Sequence, residues 1–133
     1  MTKIRRKIEI RSEQGQALTE FALALPILAL LLFAVIQFGI AFNNYVTLTD
    51  ATRAGARKAA VGRQQPNPAN ACQSAVRTSA SDLNQPDLTT SCTSTWQMGS
   101  NVTVNATYPY KISLLGLVVK SGRLSSTTTE RVE

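Results

Sequence analysis

The sequence predicts an α+β fold. A long N-terminal helix, membrane-spanning in its first half, leads into a small head with a short helix and a roughly three-stranded antiparallel sheet. Three observations predict it. Residues 21–42 form a 22-residue apolar stretch interrupted only by Gln37. Helical spacing of apolar and small residues continues past that stretch and resumes after a Pro-rich break at residues 64–68. Beyond Pro86 the period of the apolar residues changes from helical to two, the strand signature.

The basic start comes first. Lys3, Arg5, Arg6, Lys7 and Arg11 crowd the first eleven positions, and Arg53, Arg57, Lys58 and Arg63 follow the apolar stretch. Together they account for much of the net charge of +6. Cations flanking a greasy segment suit anionic headgroups and set topology. Nucleic acid binding would call for interleaved aromatics or a reading motif, and neither is present, so no nucleic acid partner is expected.

The apolar stretch is long enough to span. At about 1.5 Å per residue it reaches roughly 33 Å as a helix, against a hydrocarbon core of about 30 Å. A chain of 133 residues has too little other apolar sequence to wrap such a helix on all sides. Pro26 lies within the span; it lacks an amide hydrogen for the Ala22 carbonyl, so a kink near that turn is expected. A signal peptide cut near Ala41 is the rival reading, but its apolar region would be only about 7–15 residues. The excess of Lys/Arg on the N-terminal flank predicts a cytoplasmic N-terminus and an extracytoplasmic head.

Asn43 and Asn44 mark the water boundary, and Tyr45 suits the headgroup belt. Past it, Asp50 and Arg53 share a helix face, and Ala51, Ala54, Gly55 and Ala59 form a strip of small residues. Such a strip either admits another helix closely or belongs to a solvated alanine-rich helix. Gly62 is the expected stop. A second helix is expected over residues 69–83, with Cys72, Ala75, Val76, Ser79 and Leu83 on one face. Leu88, Cys92, Trp96 and Met98 then alternate with polar neighbours. After a turn at Gly99 and Ser100, Val102, Val104, Ala106 and Tyr108 do the same. Residues 114–119 are expected to be a core strand rather than an exposed patch, because a small domain has few other apolar residues to bury. Residues 124–132 read as a third strand.

Cys72 and Cys92 are either a disulfide or two buried thiols. Bonding would pin the second helix to the hairpin face. Closing a loop of that size contributes roughly 3 kcal/mol in the chain-entropy model.

Catalytic chemistry has little to stand on. The chain has no histidine, which removes the commonest general base and metal ligand. There is no nucleophile elbow, phosphate loop or metal cluster. Asp82 and Asp87 read as solvated loop acids rather than a catalytic pair. The expectation is a protein that is not an enzyme and needs no cofactor or metal.

One acid is out of place for a plain anchor. Glu20 stands immediately before the apolar stretch, five residues after Gly15. It has uses as a helix-start acid near the positive end of the helix dipole, or as a charge held at the membrane edge for a partner. The run Arg11-Ser12-Glu13-Gln14-Gly15, then Gln16-Ala17-Leu18-Thr19-Glu20-Phe21, resembles the processing motif of type IV prepilins and pseudopilins. The wider stretch GQALTEFALALPILALLLFAVIQFG, followed by DATRAGARKAA, resembles the TadE-like pseudopilins of the Tad (tight adherence) pilus system. The likeness is dense over residues 11–63; beyond, only SSTTTERVE is similar.

That resemblance implies a division of the chain into a basic leader (residues 1–15), a long helix (16–63) with its span at about 21–42, a linker (64–68) and an α+β extracytoplasmic domain (69–133). It implies a prepilin peptidase cutting between Gly15 and Gln16, and a new α-amine on Gln16. Glu20 becomes the fifth mature residue, paired with the amine of a neighbouring subunit. The implied partners are the peptidase, other pilin or pseudopilin subunits, the Tad assembly platform and membrane lipids, with the chain in a bacterial inner membrane and, after processing, in the pilus. The alternative is a single-pass anchored binding module that is never processed.

Overall fold

The computed structural model describes residues 10–114 and 116–133, with side chains from Gly15 onward. The leader cations Lys3, Arg5, Arg6 and Lys7 lie outside the described residues. The elements are α1 (Ile10–Ala60), α2 (Pro68–Ser79), a short 3-10 turn (Gln85–Asp87), β1 (Thr89–Thr93), β2 (Asn101–Leu114) and β3 (Leu117–Arg131). The chain divides into two compact units, one ending at Ile36 and the other comprising Gln37–Glu133, so α1 contributes to both.

In the first unit α1 is continuous through Pro26. Its apolar side chains, among them Phe21, Leu23, Ile27, Leu28 and Leu32, are exposed. A helix that is hydrophobic all round and exposed all round is at odds with water, and α1 is long and apolar enough to cross a membrane.

The second unit is built on one stripe of α1. Leu48, Ala51, Thr52, Gly55, Ala56 and Ala59 are all buried, at the spacing of a single helix face. They pack with Cys72, Val76 and Ala80 of the α2 region and with Cys92, Val102, Val104 and Ala106 of the sheet. Of the two readings of the small-residue strip, close approach of another helix holds, and that helix is this chain's own α2. The strip's buried members, Ala51, Gly55 and Ala59, pack inside this chain's own core. Gly55 shows why small residues are needed: a Cβ there would overlap Val76 Cγ2 and approach the Cys72 carbonyl oxygen to 3.4 Å.

The three strands form an antiparallel meander in the order β1-β2-β3. Cys92 pairs with Val104, which pairs with Thr128. Ala106 pairs with Ser126, and Tyr108 with Leu124. This register gathers the buried side chains onto one face, while Thr103, Asn105, Thr127 and Thr129 form the polar outer face, with Asn105 Nδ2 donating to Thr127 Oγ1 at 2.8 Å. The Cys72–Cys92 disulfide joins α2 to the inner face of β1.

The helix ends have local causes. Asn67 accepts from the Asn70 amide at 3.1 Å and Pro68 opens α2, a regular N-terminal cap. The expected end at residue 83 is corrected to Ser79. The Gln85 side-chain amide donates to the carbonyls of Ala80 (2.8 Å), Leu83 (3.2 Å) and Arg77 (3.4 Å) and satisfies carbonyls left open where the helix stops. Leu83 is still buried. At the end of α1, the Glu133 amide donates to the Ala60 carbonyl at 2.9 Å.

Two strand expectations are corrected. β1 ends at Thr93, and Trp96 adopts φ 57, which breaks the alternation and leaves Met98 69% exposed. Among the described residues, 114 and 116–119 are not a core strand. They lie at the tip of the β2–β3 hairpin, with Leu114 paired to Leu117 and Gly116 at φ 85, and Leu117, Val118 and Val119 are exposed. β1 covers β2 only as far as Thr107, so the last part of the hairpin is a two-stranded ribbon without a third strand beside it.

Candidate functional site

The residues singled out for processing and assembly all lie on the first unit's helix. Gly15, Gln16 and Glu20 are exposed. Helical structure runs through the bond between Gly15 and Gln16, and the Thr19 hydroxyl donates to the Gly15 carbonyl at 2.9 Å. A Cβ on Gly15 would meet nothing within 4 Å. Glycine here is therefore not required by packing within the chain. It does make this turn about 1 kcal/mol less favourable as helix than alanine would.

Gln16 and Glu20 are brought together. The Gln16 side-chain amide donates to Glu20 Oε1 at 3.0 Å, one helical turn apart. The sequence reading assigned Gln16 a role only through its backbone amine; the four-residue spacing between an amide and a carboxylate was the available signal for this contact. In the uncut chain Glu20 thus already holds a neutral donor, with one carboxylate oxygen bonded to its own chain. Pro26 is six residues further along the same helix.

The other named residues sit in the second unit and serve the fold. Cys72 and Cys92 are bonded to each other. Asp82 and Asp87 are both exposed, and Asp87 accepts from Asn84 Nδ2 at 2.6 Å. Asp50 and Arg53 form an exposed ion pair at 3.5 Å, of a kind that contributes little in solvent.

A polar cluster that the sequence reading missed holds α1 to the sheet. Thr52 Oγ1 donates to the Thr49 carbonyl at 2.8 Å and lies 3.1 Å from both Ser126 Oγ and Thr128 Oγ1. Thr52 is fully buried. Three hydroxyls that share donors and acceptors satisfy one another in a place where water cannot. A serine and threonines in an alternating strand read as solvent-facing; only the pairing of their register with a buried threonine on α1 shows otherwise.

No significant match was found among curated proteins or among solved structures. A family model described as TadE-like protein matches residues 15–57. That span opens on Gly15, contains Glu20 and the apolar stretch, and closes within the buried stripe of α1. Over this segment, about a third of the chain, the sequence is similar to the TadE-like family.

Proposed function

We propose that this protein is a minor pilin-like subunit that helps initiate, assemble or anchor a Tad-type pilus used for adherence. Similarity to the TadE-like family over residues 15–57 supports an association with Tad pilus components. The observation that carries the finer reading is an exposed Glu20 one turn after an exposed Gly15 and Gln16, at the entrance of an exposed apolar helix. The chain crosses the bacterial inner membrane once, with the leader on the cytoplasmic side and the disulfide-bonded head on the periplasmic side. Its role is structural, with no reaction of its own to catalyse.

In this reading a prepilin peptidase cuts between Gly15 and Gln16, at a turn that glycine makes less favourable as helix. The cut leaves Glu20 in the first turns of the mature helix, near the positive end of its dipole. It also puts an ammonium group on Gln16. A carboxylate at the edge of hydrocarbon is costly to leave alone. Pairing it with the amine of an adjacent subunit recovers part of that cost, and mismatched neighbours leave both charges unpaired. The Gln16 amide bonded to Glu20 in the uncut chain is the weaker, neutral donor that this amine displaces.

The test is Glu20→Ala in cells that assemble the pilus. The altered chain should insert and be cut normally, yet its recovery with pilin partners should fall sharply. Recovery at the unaltered level would defeat the proposed role of the carboxylate.

A further inference from the structure

The hairpin tip has no structural use inside the second unit, and its chemistry and position point to lipid. Leu117, Val118 and Val119 are 75%, 62% and 63% exposed, three successive apolar residues at the hairpin tip. Lys111 pairs with Ser121 and Lys120 with Ile112, so one cation stands on each strand just before the tip. An apolar end collared by cations is the arrangement that enters a headgroup layer, with the long side chains reaching for phosphates.

The direction of the strands supplies the second observation. Ser126 and Thr128 of β3 meet α1 at Thr52. Further back along β3, Lys120 and Leu124 line one groove with Phe38, Phe42 and Tyr45 of α1. β3 therefore runs parallel to this part of α1, so the hairpin at its start lies toward the residues where the apolar stretch meets Asn43 and Asn44. Leu117 lies three residues beyond Lys120, up to roughly 10 Å further in that direction at strand rise. Tyr45 and Tyr110 flank the same groove, side chains suited to the boundary between headgroup and hydrocarbon.

We propose that the tip of the β2–β3 hairpin is a second membrane contact: Leu117, Val118 and Val119 enter the outer part of the leaflet on the head's side, and Lys111 and Lys120 bind anionic lipid headgroups. This rests on α1 crossing the membrane. The tip then fixes the tilt and height of the head above the bilayer, which a single helix alone leaves free to swivel.

The experiment uses the full chain in vesicles of phosphatidylethanolamine and phosphatidylglycerol, with and without lipids brominated on the upper acyl chain. A Val118→Trp variant reports the tip. The native Trp96 follows β1, at the end of the sheet away from the tip, and gives the background to subtract. A Leu28→Trp variant reports α1. Emission from Val118→Trp should shift to the blue and be quenched by brominated lipid, and Lys111→Glu with Lys120→Glu should reduce that quenching. Water-like, unquenched emission from Val118→Trp alongside a quenched Leu28→Trp overturns the proposal while sparing the membrane helix. If neither variant is quenched, the membrane reading itself fails and the proposal with it. A blue shift that disappears as lipid dilutes the protein, with no bromine quenching, assigns the tip to a second copy of the chain and also overturns it.

Discussion

Gly55 and Val76 occupy the same space up to the last methyl: a Cβ on Gly55 would overlap Val76 Cγ2. α1 and α2 touch there because one of them has no side chain. The contact places α2, and through the Cys72–Cys92 bond it also places β1. The family match ends at residue 57, two residues past this glycine. The matched segment therefore includes the surface on which the head is built.

Gly55→Ala should destabilise the head. Alanine is a better helix former than glycine by about 1 kcal/mol, which opposes an overpacking cost of about 1–3 kcal/mol against a stiff, fully buried valine. The expected net loss is on the order of 1 kcal/mol, read as a lower thermal midpoint of the purified chain in detergent. Adding Val76→Ala opens room for the new methyl, so the double variant should lose less than the two single losses combined.

Thr52→Val should cost about 1–3 kcal/mol, because it keeps the shape but leaves the buried Ser126 and the partly buried Thr128 hydroxyls short of a partner. Thr52→Ser keeps the hydroxyl and should cost less. Combining Thr52→Val with Ser126→Ala removes both ends of one contact and should recover part of the loss. Denaturant titration of the four proteins checks this order.

Cys72 and Cys92 are 20 residues apart in sequence, and opening their bond should lower stability by roughly 3 kcal/mol. Cys72→Ser with Cys92→Ser should show it as an earlier denaturation midpoint and as faster proteolysis of α2, which the bond ties to the sheet. The unaltered chain should run faster on a non-reducing gel than on a reducing one.

Gly15→Leu should leave membrane insertion unchanged and abolish maturation. The position is open within this chain, so a bulky residue strains nothing here. Any effect must arise in a protease site that tolerates no side chain. Immunoblotting of membrane fractions should show only the longer form.

Much of this architecture was legible in the residues. The apolar stretch, the Pro-rich break before α2, the turn at Gly99 and the alternation of Val102, Val104 and Ala106 each follow from local periodicity or turn chemistry. What escaped depends on contacts distant in sequence. The small strip of α1 could not by itself disclose whether it faced solvent or another helix. Gln85 ends α2 from outside the helix, so composition within the helix misjudged its length. The apolar residues around Gly116 looked like core because burial was inferred from scarcity. The glycine in their midst was the turn signal, and register carries the tip past the end of β1. At the candidate site, Gly15, Gln16 and Glu20 were singled out by resemblance to the prepilin motif; the bond between Gln16 and Glu20 follows once those residues are helical.

The most direct measurement is the mass and N-terminal sequence of the chain recovered from membranes of cells that express a prepilin peptidase. The account predicts a chain beginning at Gln16, with its cysteines bonded. A chain that keeps Met1 and the basic leader, in cells whose pili assemble normally, would contradict it.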